Sequence, residues 1–593
     1  MILALLKSFP SFARRGAGRP IRAEDPDDED VEGGHVPLLP LGSKEGAMET
    51  DATYPRRHQP QGWAQRLRAA FGRAGVAVTL IAATLCSAIL LGIAFITIFI
   101  GPPMAQRSRP SAPPDLHAIA RADVDALFAR QSTTLEQASA RYTLRTGRPP
   151  PRSFPAFFQF ATERKCLIDE YDRVHRDFKA YYQLEKKRPG WFRQRVERAA
   201  TEVRAILPGL APFLLGSLDG VDISRAEFRG GEVNLQGSTA YDWYWPATLK
   251  TFAPHLPNFT ALINGRDEPR IAFDLRAPNA DNLALAAPRN KEPFTIAPPP
   301  GRPTEKWFHD LGCGAVPAHP DGGFGETMNE DTAFLISPAR PGFTTDLYPM
   351  LSMTKIADGK CFADILFPTE YYYDRSWWAP HFSYPEDVPW EKKFNQLYWR
   401  GMSNGGMIVV SPETNYSNYH AFPRFRLATL AKEHPDLINA HITTFAETLC
   451  LPENGCDRDA IIAEFEINEA GAPREEVYAF KYAMDVDGTT FSGRFLSLLR
   501  SGSVVFKATS FAEYFNDWLL PYEHYIPVRP DLSDLVEKLH WAEANPEAAR
   551  LIQLRGKELA TRVMRDDQND CYYLAVLGEW AELWGREPEG ESE

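Results

Sequence analysis

An uncharged, apolar run of 25 residues is the feature that most constrains what this chain can fold into. Residues Val76 to Ile100 read VAVTLIAATLCSAILLGIAFITIFI, and no charged residue occurs from Ala74 to Gln106. As a helix, the run reaches about 37 Å, enough to cross a hydrocarbon core about 30 Å thick. Because it is apolar on every face and starts far from the N-terminus, we predict a transmembrane helix at residues 75–101 and not a cleaved signal peptide.

Arginines flank this run unequally. Five arginines lie within about 20 residues before the run, at Arg56, Arg57, Arg66, Arg68 and Arg73. Only two, Arg107 and Arg109, lie within a similar distance after it. The positive-inside rule places the N-terminus in the cytosol and residues 107–593 in the lumen. The prediction is a single-pass type II protein of a secretory-pathway membrane.

Cysteines and glycosylation sequons agree with a lumenal location. Six cysteines follow the run, at Cys166, Cys313, Cys361, Cys450, Cys456 and Cys571. They lack the paired short spacings of a zinc site, so we expect disulfides, with the pairing left open except that Cys450 and Cys456 are near enough for a small loop. The sequons begin at Asn258 and Asn415, which are predicted glycosylation sites.

Length and charge limit the class of protein. With 593 residues the chain is too long for one core, and several domains are expected. The formal charge of −13 is the opposite of what a general nucleic-acid binder carries, so no nucleic-acid partner is expected. Residues 1–74 are rich in proline, glycine, arginine and acids, which predicts a disordered cytosolic tail.

The rest of the chain reads as an α/β protein. A proline-rich stem and a helical region are predicted for residues 102–207, with a helix break from Thr146 to Ser153. Beyond it, short apolar strands alternate with helices, as at Tyr398-Trp399 and Ser503 to Phe506. We predict one domain at 208–395, a second at 396–580 and a tail at 581–593. Asn545-Pro546 predicts a helix start, with Asn as the cap.

Four clusters carry residue types suited to chemistry. The first, Ile263-Asn-Gly-Arg-Asp-Glu-Pro-Arg270, follows an apolar strand, and an aspartate there could act as a general base on a hydroxyl. A turn with local ion pairs explains the same spacing. The second, Asp364-Ile-Leu-Phe-Pro-Thr-Glu-Tyr-Tyr-Tyr373, suits either a sugar-binding cleft or an ordinary core.

The other two clusters are glycine-rich turns after strands. Tyr398-Trp-Arg-Gly-Met-Ser-Asn-Gly-Gly406 places an arginine at the mouth of a turn whose backbone N–H groups can approach phosphate oxygens. Asp485-Val-Asp-Gly-Thr-Thr-Phe-Ser-Gly-Arg494 leads into a helix at Phe495, whose start favours an anion. Asp485 and Asp487 share one face of a strand, so a Mg²⁺ or Mn²⁺ site is the alternative.

Taken together, these segments resemble the capsule-associated-protein family, which includes the protein O-glucosyltransferases, and most of all its fungal branch. The resemblance rests on Arg145 to Asp172, on Asn264 to Arg270, on Phe362 to Tyr373 and on Trp399-Arg-Gly401 with Gly405-Gly406. Its longest stretch runs from Lys481 to Val528. The similar segments keep one order over about residues 140 to 580.

The resemblance implies a GT-B-like fold, in which two Rossmann-like domains face each other across a cleft, and transfer of glucose or xylose from a UDP-sugar with inversion and without a required metal. It implies Asp267 as the catalytic residue. The implied donor-binding residues are Arg400, Ser403, Arg424, Asp487, Gly488, Thr489, Ser492, Gly493 and Arg494. The predicted acceptor cleft contains Arg266, Arg270, Tyr372 and Tyr373.

Two questions stay open at the level of the sequence. The acceptor is a polysaccharide such as capsule, a glycolipid or a glycoprotein, and the compartment is the Golgi or the ER membrane. The alternative function is a lumenal scaffold or carbohydrate-binding protein that has kept the fold and lost turnover. A metal-dependent transferase that uses Asp485 and Asp487 is a further alternative, in which Mn²⁺ would be a cofactor.

Overall fold

The structure is a computed structural model. It describes residues 115–205, 223–236, 245–273, 344–357, 362–376, 388–406, 408, 410–411, 416–452, 455–468 and 470–586. The predicted tail at 1–74 and the predicted membrane span at 75–101 lie outside these residues, so both stay predictions. Within the described part of the chain, no helix combines the length and the apolar character that crossing a membrane requires.

Helices and strands alternate from Tyr416 to Ala508, whereas helices follow one another at both ends of the described chain. The α-helices are α1 (Leu116–Ala129), α2 (Leu135–Thr146), α3 (Phe154–Glu163), α4 (Asp172–Lys187), α5 (Trp191–Ala205), α6 (Trp245–Lys250), α7 (Pro423–Glu433), α8 (Arg458–Phe465), α9 (Phe495–Arg500), α10 (Leu535–Ala544), α11 (Pro546–Arg562) and α12 (Asp566–Trp584).

The strands form two larger sheets and two small ones. They are β1 (Ile223–Arg229), β2 (Glu232–Gln236), β3 (Phe259–Asn264), β4 (Leu351–Ser352), β5 (Lys355–Ile356), β6 (Ile365–Leu366), β7 (Phe394–Met402), β8 (Val410–Ser411), β9 (Tyr416–Ser417), β10 (Ile438–Thr444), β11 (Phe480–Val486), β12 (Val504–Ala508), β13 (Phe511–Ala512) and β14 (Ile526–Val528).

The five-stranded sheet of the C-terminal part is fully parallel. Its strand order is β10-β7-β11-β12-β14, and every neighbouring pair runs in the same direction. Parallel sheets are covered on both faces, and the near-continuous burial of β11 and β12 agrees with this. The prediction of an α/β fold with parallel strands is confirmed here.

The N-terminal sheet is mixed. Its order is β2-β1-β3-β4-β6, where β1 is antiparallel to both neighbours and β3, β4 and β6 are parallel. The hairpin of β1 and β2 departs from a Rossmann pattern, whereas the strand that precedes the Asp267 turn forms as predicted. The GT-B arrangement of two facing domains stays a prediction.

The helical region before the first sheet has more breaks than the sequence suggested. The expected break after Thr146 is present, and Gly147 ends α2 in the left-handed conformation with φ of 71°. Further interruptions separate α1 from α2 and α3 from α5, so two predicted arms are five helices. Helices α3, α4 and α5 pack against α12, whereas α1 packs against α11, and a disulfide between Cys166 and Cys571 joins this helical region to α12.

Helix α12 returns to the first sheet. Trp580 on α12 donates its indole N–H to the carbonyl oxygen of Thr260 on β3, at 2.9 Å. Helix α11 begins at Pro546, as predicted, but the Asn545 side chain is not its cap: its amide donates to the carbonyl oxygen of Trp541 instead. Asn545 is the only residue between α10 and α11, and its side chain caps the C-terminal end of α10 instead of the N-terminal end of α11.

Candidate donor and acceptor site

Strands β7 and β11 mark the point at which the chain changes direction across the parallel sheet. From β7 the chain passes to β10 on one side, and from β11 it passes to β12 and β14 on the other. Ligands of open α/β sheets bind in the crevice outside the carboxyl ends of the strands at such a point. The turns after β7 and β11 border this crevice, and both contain predicted donor-binding residues.

Arg494 lies at the end of the turn after β11, which we call the donor loop (residues 487–494). Its Nη1 donates to the carbonyl oxygen of Arg400 on β7, at 2.7 Å. Its guanidinium carbon is 5.8 Å from the centre of the Trp399 indole ring. The arginine is only 9% exposed, so its charge is held at the carboxyl end of β7 with little screening by water.

Arg424, in the first turn of α7, approaches the same indole ring. Its guanidinium carbon is 5.7 Å from the centre of the Trp399 ring. Its Nε donates to the carbonyl oxygen of Asp487 at 3.2 Å, and its Nη1 donates to that of Met402 at 3.1 Å. The structure therefore brings Arg424 and Arg494, predicted separately, to one place.

Gly488 makes room for this arginine. A Cβ at this position would lie 2.7 Å from Nη2 of Arg424, so a larger residue would displace the guanidinium. The Gly488 N–H donates to the carbonyl oxygen of Thr490 at 3.0 Å, which tightens the loop. Gly493 has a similar role, because a Cβ there would lie 2.9 Å from the ring of Tyr371.

Several buried donor groups around the donor loop lack a hydrogen-bond partner among the described residues. They are the hydroxyls of Thr490, Ser492 and Ser510 and the indole N–H of Trp399. Buried polar groups are nearly always paired, and an unpaired one costs about 1–3 kcal/mol. A group of unpaired donors beside two arginines is suited to an anionic ligand with several oxygens.

Other predicted donor-binding residues have protein partners. Arg400 donates from Nη1 and Nη2 to the carbonyl and side-chain oxygens of Asn439, at 2.9 and 2.8 Å. The Ser403 hydroxyl accepts from the Ala446 N–H at 2.8 Å and keeps its own proton to donate. Thr489 is half-buried within the donor loop. Contacts of these three residues with a donor stay predictions.

The acidic pair in this segment is engaged by a lysine. Lys507 on β12 lies opposite Asp485 on β11, and its Nζ is 2.6 Å from Asp485 Oδ2. Asp487 accepts from the Ser510 N–H at 2.8 Å, and burial raises its pKa to about 7 against the opposing effect of Lys507. Across the described residues, no group of three or more His, Cys, Asp and Glu is arranged to hold a metal ion.

Asp267 lies in a turn at the carboxyl end of β3. The side chain of Asn264 shapes this turn: its Oδ1 accepts from the Arg266 N–H at 3.0 Å, and its Nδ2 donates to the Glu268 carbonyl oxygen at 2.7 Å. Asn264 is fully buried, whereas Asp267 and Arg266 are half-buried. The predicted catalytic residue therefore lies in the turn at the carboxyl end of the central strand of the first sheet.

Buried carboxylates hold the end of this turn. Asp364 accepts from the N–H groups of Arg270 and Ile271, at 2.9 and 3.0 Å. Lys355 on β5 donates to the Asp364 carbonyl oxygen at 2.7 Å and to Asp177 on α4 at 2.8 Å. Asp364, predicted only as part of an aromatic cluster, thus fixes the backbone that follows Asp267.

The segment from Asp364 to Tyr373 reaches both sites. Asp364 binds the Asp267 turn, and eight residues later the Tyr372 hydroxyl contacts the carbonyl oxygen of Ser492 in the donor loop, at 3.3 Å. Tyr372 and Tyr373 are 6% and 0% exposed, and Arg270 is fully buried. Their contacts in this structure are with protein, so acceptor binding by these residues stays a prediction.

The remaining predicted residues fall outside the site. Asn258 is exposed, and its side-chain oxygen accepts from the Gly230 N–H at 2.9 Å, while Asn415 lies outside the described residues. His524 is a structural residue: its Nδ1 accepts from the Leu520 N–H at 3.0 Å, and burial lowers its pKa to about 4. Cys450 and Cys456, whose pairing the sequence left open, form a disulfide.

Sequence reasoning missed Lys507, Ser510 and Glu513. The signal for Lys507 was a lysine inside the apolar strand Val504–Ala508, where a charge is expected only with a buried partner. No comparable signal marked Ser510, whose role depends on the pairing of β5 with β13.

Comparison with known proteins identifies part of the chain. Residues 383–593 match glycosyl transferase family 90. The chain is 32% identical over 205 residues to Protein O-glucosyltransferase 2 of Danio rerio, an alignment covering 34% of this chain and 35% of that protein. It is 33% identical over 170 residues to Protein O-glucosyltransferase 3 of Homo sapiens, covering 28% and 31%, respectively.

A third relative is Protein O-glucosyltransferase 1 of Rattus norvegicus, 29% identical over 202 residues, with 33% of this chain and 44% of the relative covered. The aligned part of the chain thus spans 31% to 44% of the length of these relatives. The family match includes Arg400, Arg424 and the donor loop, whereas Asp267 precedes it. The predicted family is confirmed for residues 383–593, while the fungal branch and the type II form stay predictions.

Proposed function

Because residues 383–593 match glycosyl transferase family 90, we propose that the chain transfers a sugar, glucose or xylose, from a UDP-sugar to a hydroxyl of a glycan or glycoprotein. The observation that carries this proposal is the meeting of Arg424 and Arg494 at the Trp399 indole, beside buried hydroxyls without a partner in the described structure. Two fixed guanidinium groups and several O–H donors match the oxygens and charge of a diphosphate.

The proposed reaction is a single displacement. The acceptor oxygen forms a bond to the anomeric carbon of the sugar while its proton moves to the carboxylate of Asp267. The bond between the anomeric carbon and the phosphate oxygen breaks, and UDP leaves with that electron pair from the opposite face. Arg424 and Arg494 stabilise the charge that develops on the leaving diphosphate. This geometry inverts the configuration at the anomeric carbon.

The names of the three relatives favour a glucosyl donor and a protein acceptor, because each is a protein O-glucosyltransferase. The Cys166–Cys571 and Cys450–Cys456 disulfides fit an oxidising lumen, which supports the proposed location in the Golgi or ER membrane. Protease added to sealed microsomes should then remove about 70 residues and spare the rest. Loss of the large domain would contradict the type II topology.

A donor panel tests the proposed activity. The purified full chain is incubated with UDP-glucose, UDP-xylose and UDP-glucuronate, and the release of UDP is measured with and without an acceptor extract. We expect release from UDP-glucose or UDP-xylose that increases with the acceptor. Binding of UDP without turnover of any donor would support the scaffold alternative, and absence of UDP binding would contradict both functions.

A further inference from the structure

A cluster of buried ionisable side chains lies next to the donor loop. Asp485, Lys507 and Glu513 are 1%, 2% and 0% exposed. The Lys507 Nζ lies 2.6 Å from Asp485 and 3.8 Å from Glu513. Removing such groups from water costs several kcal/mol for each ion, and a buried pair often contributes nothing to net stability. The cluster therefore needs an explanation other than stability of the fold.

Tyr372 connects this cluster to the donor loop. Its hydroxyl forms a short hydrogen bond with Glu513 Oε1 and lies 3.3 Å from the carbonyl oxygen of Ser492. A phenol has one proton, so it cannot donate fully to both oxygens at once. If Glu513 donates the hydrogen bond between the two side chains, the Tyr372 hydroxyl is free to donate to the Ser492 carbonyl. If Tyr372 donates to Glu513, the Ser492 carbonyl does not receive a full hydrogen bond.

This pair joins two parts of the proposed active site. Tyr372 belongs to the segment that also holds the Asp267 turn, and Ser492 belongs to the loop that ends at Arg494. The position of the Tyr372 ring is restricted by Phe515, against which it packs edge-on with the ring centres 5.3 Å apart. The hydroxyl can therefore change its partner without a movement of the ring.

We propose that Tyr372 and Glu513 are positioning residues for the sugar donor: protonated Glu513 donates to the Tyr372 oxygen, and the Tyr372 hydroxyl donates to the Ser492 carbonyl and fixes the donor loop. When Glu513 ionises, its carboxylate accepts a hydrogen bond from the Tyr372 hydroxyl, which keeps its proton, and the Ser492 carbonyl loses its donor. The proposal rests on the proposed function, because it requires that the donor loop binds the nucleotide.

The surroundings of Glu513 support a change of protonation close to neutral pH. Burial raises its pKa to about 8, opposed by the Lys507 charge and the Tyr372 hydrogen bond and aided by the negative charges of Asp485 and Asp487. Glu513 is thus protonated below this pH and ionised above it. On this basis, the donor loop is fixed on the acidic side and released on the alkaline side.

The test measures UDP affinity of the full chain by calorimetry between pH 6.5 and 9. For the wild type, we expect affinity to fall about 3- to 10-fold as the pH passes 8, the worth of one neutral hydrogen bond. Glu513→Gln should keep the higher affinity across the range, because its amide donates to Tyr372 at every pH. Tyr372→Phe should show the lower affinity throughout, without the pH step.

Tyr573→Phe is the matched control. Tyr573 is also fully buried, and its hydroxyl has no hydrogen-bond partner among the described residues, so its loss should leave the pH profile of UDP binding unchanged. A Glu513→Gln profile identical to that of the wild type would overturn the inference even if Tyr372→Phe failed to fold. Failure of the wild type to bind UDP would instead contradict the proposed function.

Discussion

Arg424 on α7 and Arg494 at the end of the donor loop place their guanidinium carbons 5.7 and 5.8 Å from the centre of one ring, the indole of Trp399. Each also donates to a backbone carbonyl near the end of β7, Arg424 to Met402 and Arg494 to Arg400. The two charges are therefore fixed before any ligand arrives, and their mutual repulsion favours binding of an anion between the turns.

Replacement of the proposed base should affect turnover and spare nucleotide binding. Asp267→Asn keeps the shape of the side chain but removes the basic oxygen, so kcat should fall about 100-fold or more. UDP affinity should stay as in the wild type, because the carboxylate acts on the acceptor proton. Glu268→Gln, the change of the next acid in the same turn, is the control. A larger loss in Glu268→Gln than in Asp267→Asn would contradict the assignment.

Sugar transfer should not depend on an added divalent cation. Lys507 already places a positive charge 2.6 Å from Asp485, where the metal-dependent alternative requires an ion, and Arg424 and Arg494 supply charge at the diphosphate. Initial rates in EDTA should therefore stay close to those in buffer alone. Activity that disappears in EDTA and returns with Mn²⁺ would favour the alternative based on Asp485 and Asp487.

Stability should decrease as the pH rises from about 5 to about 7, partly because of Glu370. This glutamate is buried, which raises its pKa to about 7 against the hydrogen bond from Thr248. In that window the folded state binds a proton that the unfolded state has lost, so stability falls with increasing pH, by up to about 3 kcal/mol for this group.

Glu370→Gln keeps the acceptor oxygen for Thr248 and has no proton to lose. Its melting temperature should therefore decline less between pH 5 and 7 than that of the wild type. An unchanged slope would show that Glu370 does not titrate in this range. Glu464→Gln, a half-exposed glutamate on α8, provides the matched substitution.

The Cys166–Cys571 disulfide should contribute more to stability than the Cys450–Cys456 disulfide. The first closes a separation of 405 residues and the second a separation of six, and a longer loop loses more entropy when it is closed in the unfolded chain. Replacing both members of the long-range pair with serine should cost about 2–5 kcal/mol. The same change at Cys450 and Cys456 should lower the melting temperature less, and the reverse order would contradict this prediction.

The sequence predicted local elements well and long-range partners poorly. The strand before Asp267, the strand at Tyr398-Trp399 and the helix after Arg494 were predicted because apolar periodicity and turn residues are local signals. The hairpin of β1 and β2 was not predicted, and neither was the side-chain partner of Asn545, which is set by the close spacing of α10 and α11.

In the candidate site, too, individual residues were predicted from the sequence, but their long-range partners were not. Arg424 and Arg494 were expected near the donor through a family resemblance, but their common position at Trp399 depends on the order β10-β7-β11. Asp364 was read as part of an aromatic cluster because its partners, the N–H groups of Arg270 and Ile271, are 94 and 93 residues away. Pairings over such distances leave no periodic pattern in one sequence.

Calorimetric titration of UDP into the purified full chain, in EDTA, tests the central claim most directly. A charge-assisted contact contributes roughly 1.5–3 kcal/mol, so Arg424→Ala and Arg494→Ala should each weaken UDP binding about 10- to 150-fold. Arg193→Ala, which removes an exposed arginine of α5, should bind UDP as the wild type does. Wild-type affinity in Arg424→Ala and Arg494→Ala would contradict a donor site at Trp399.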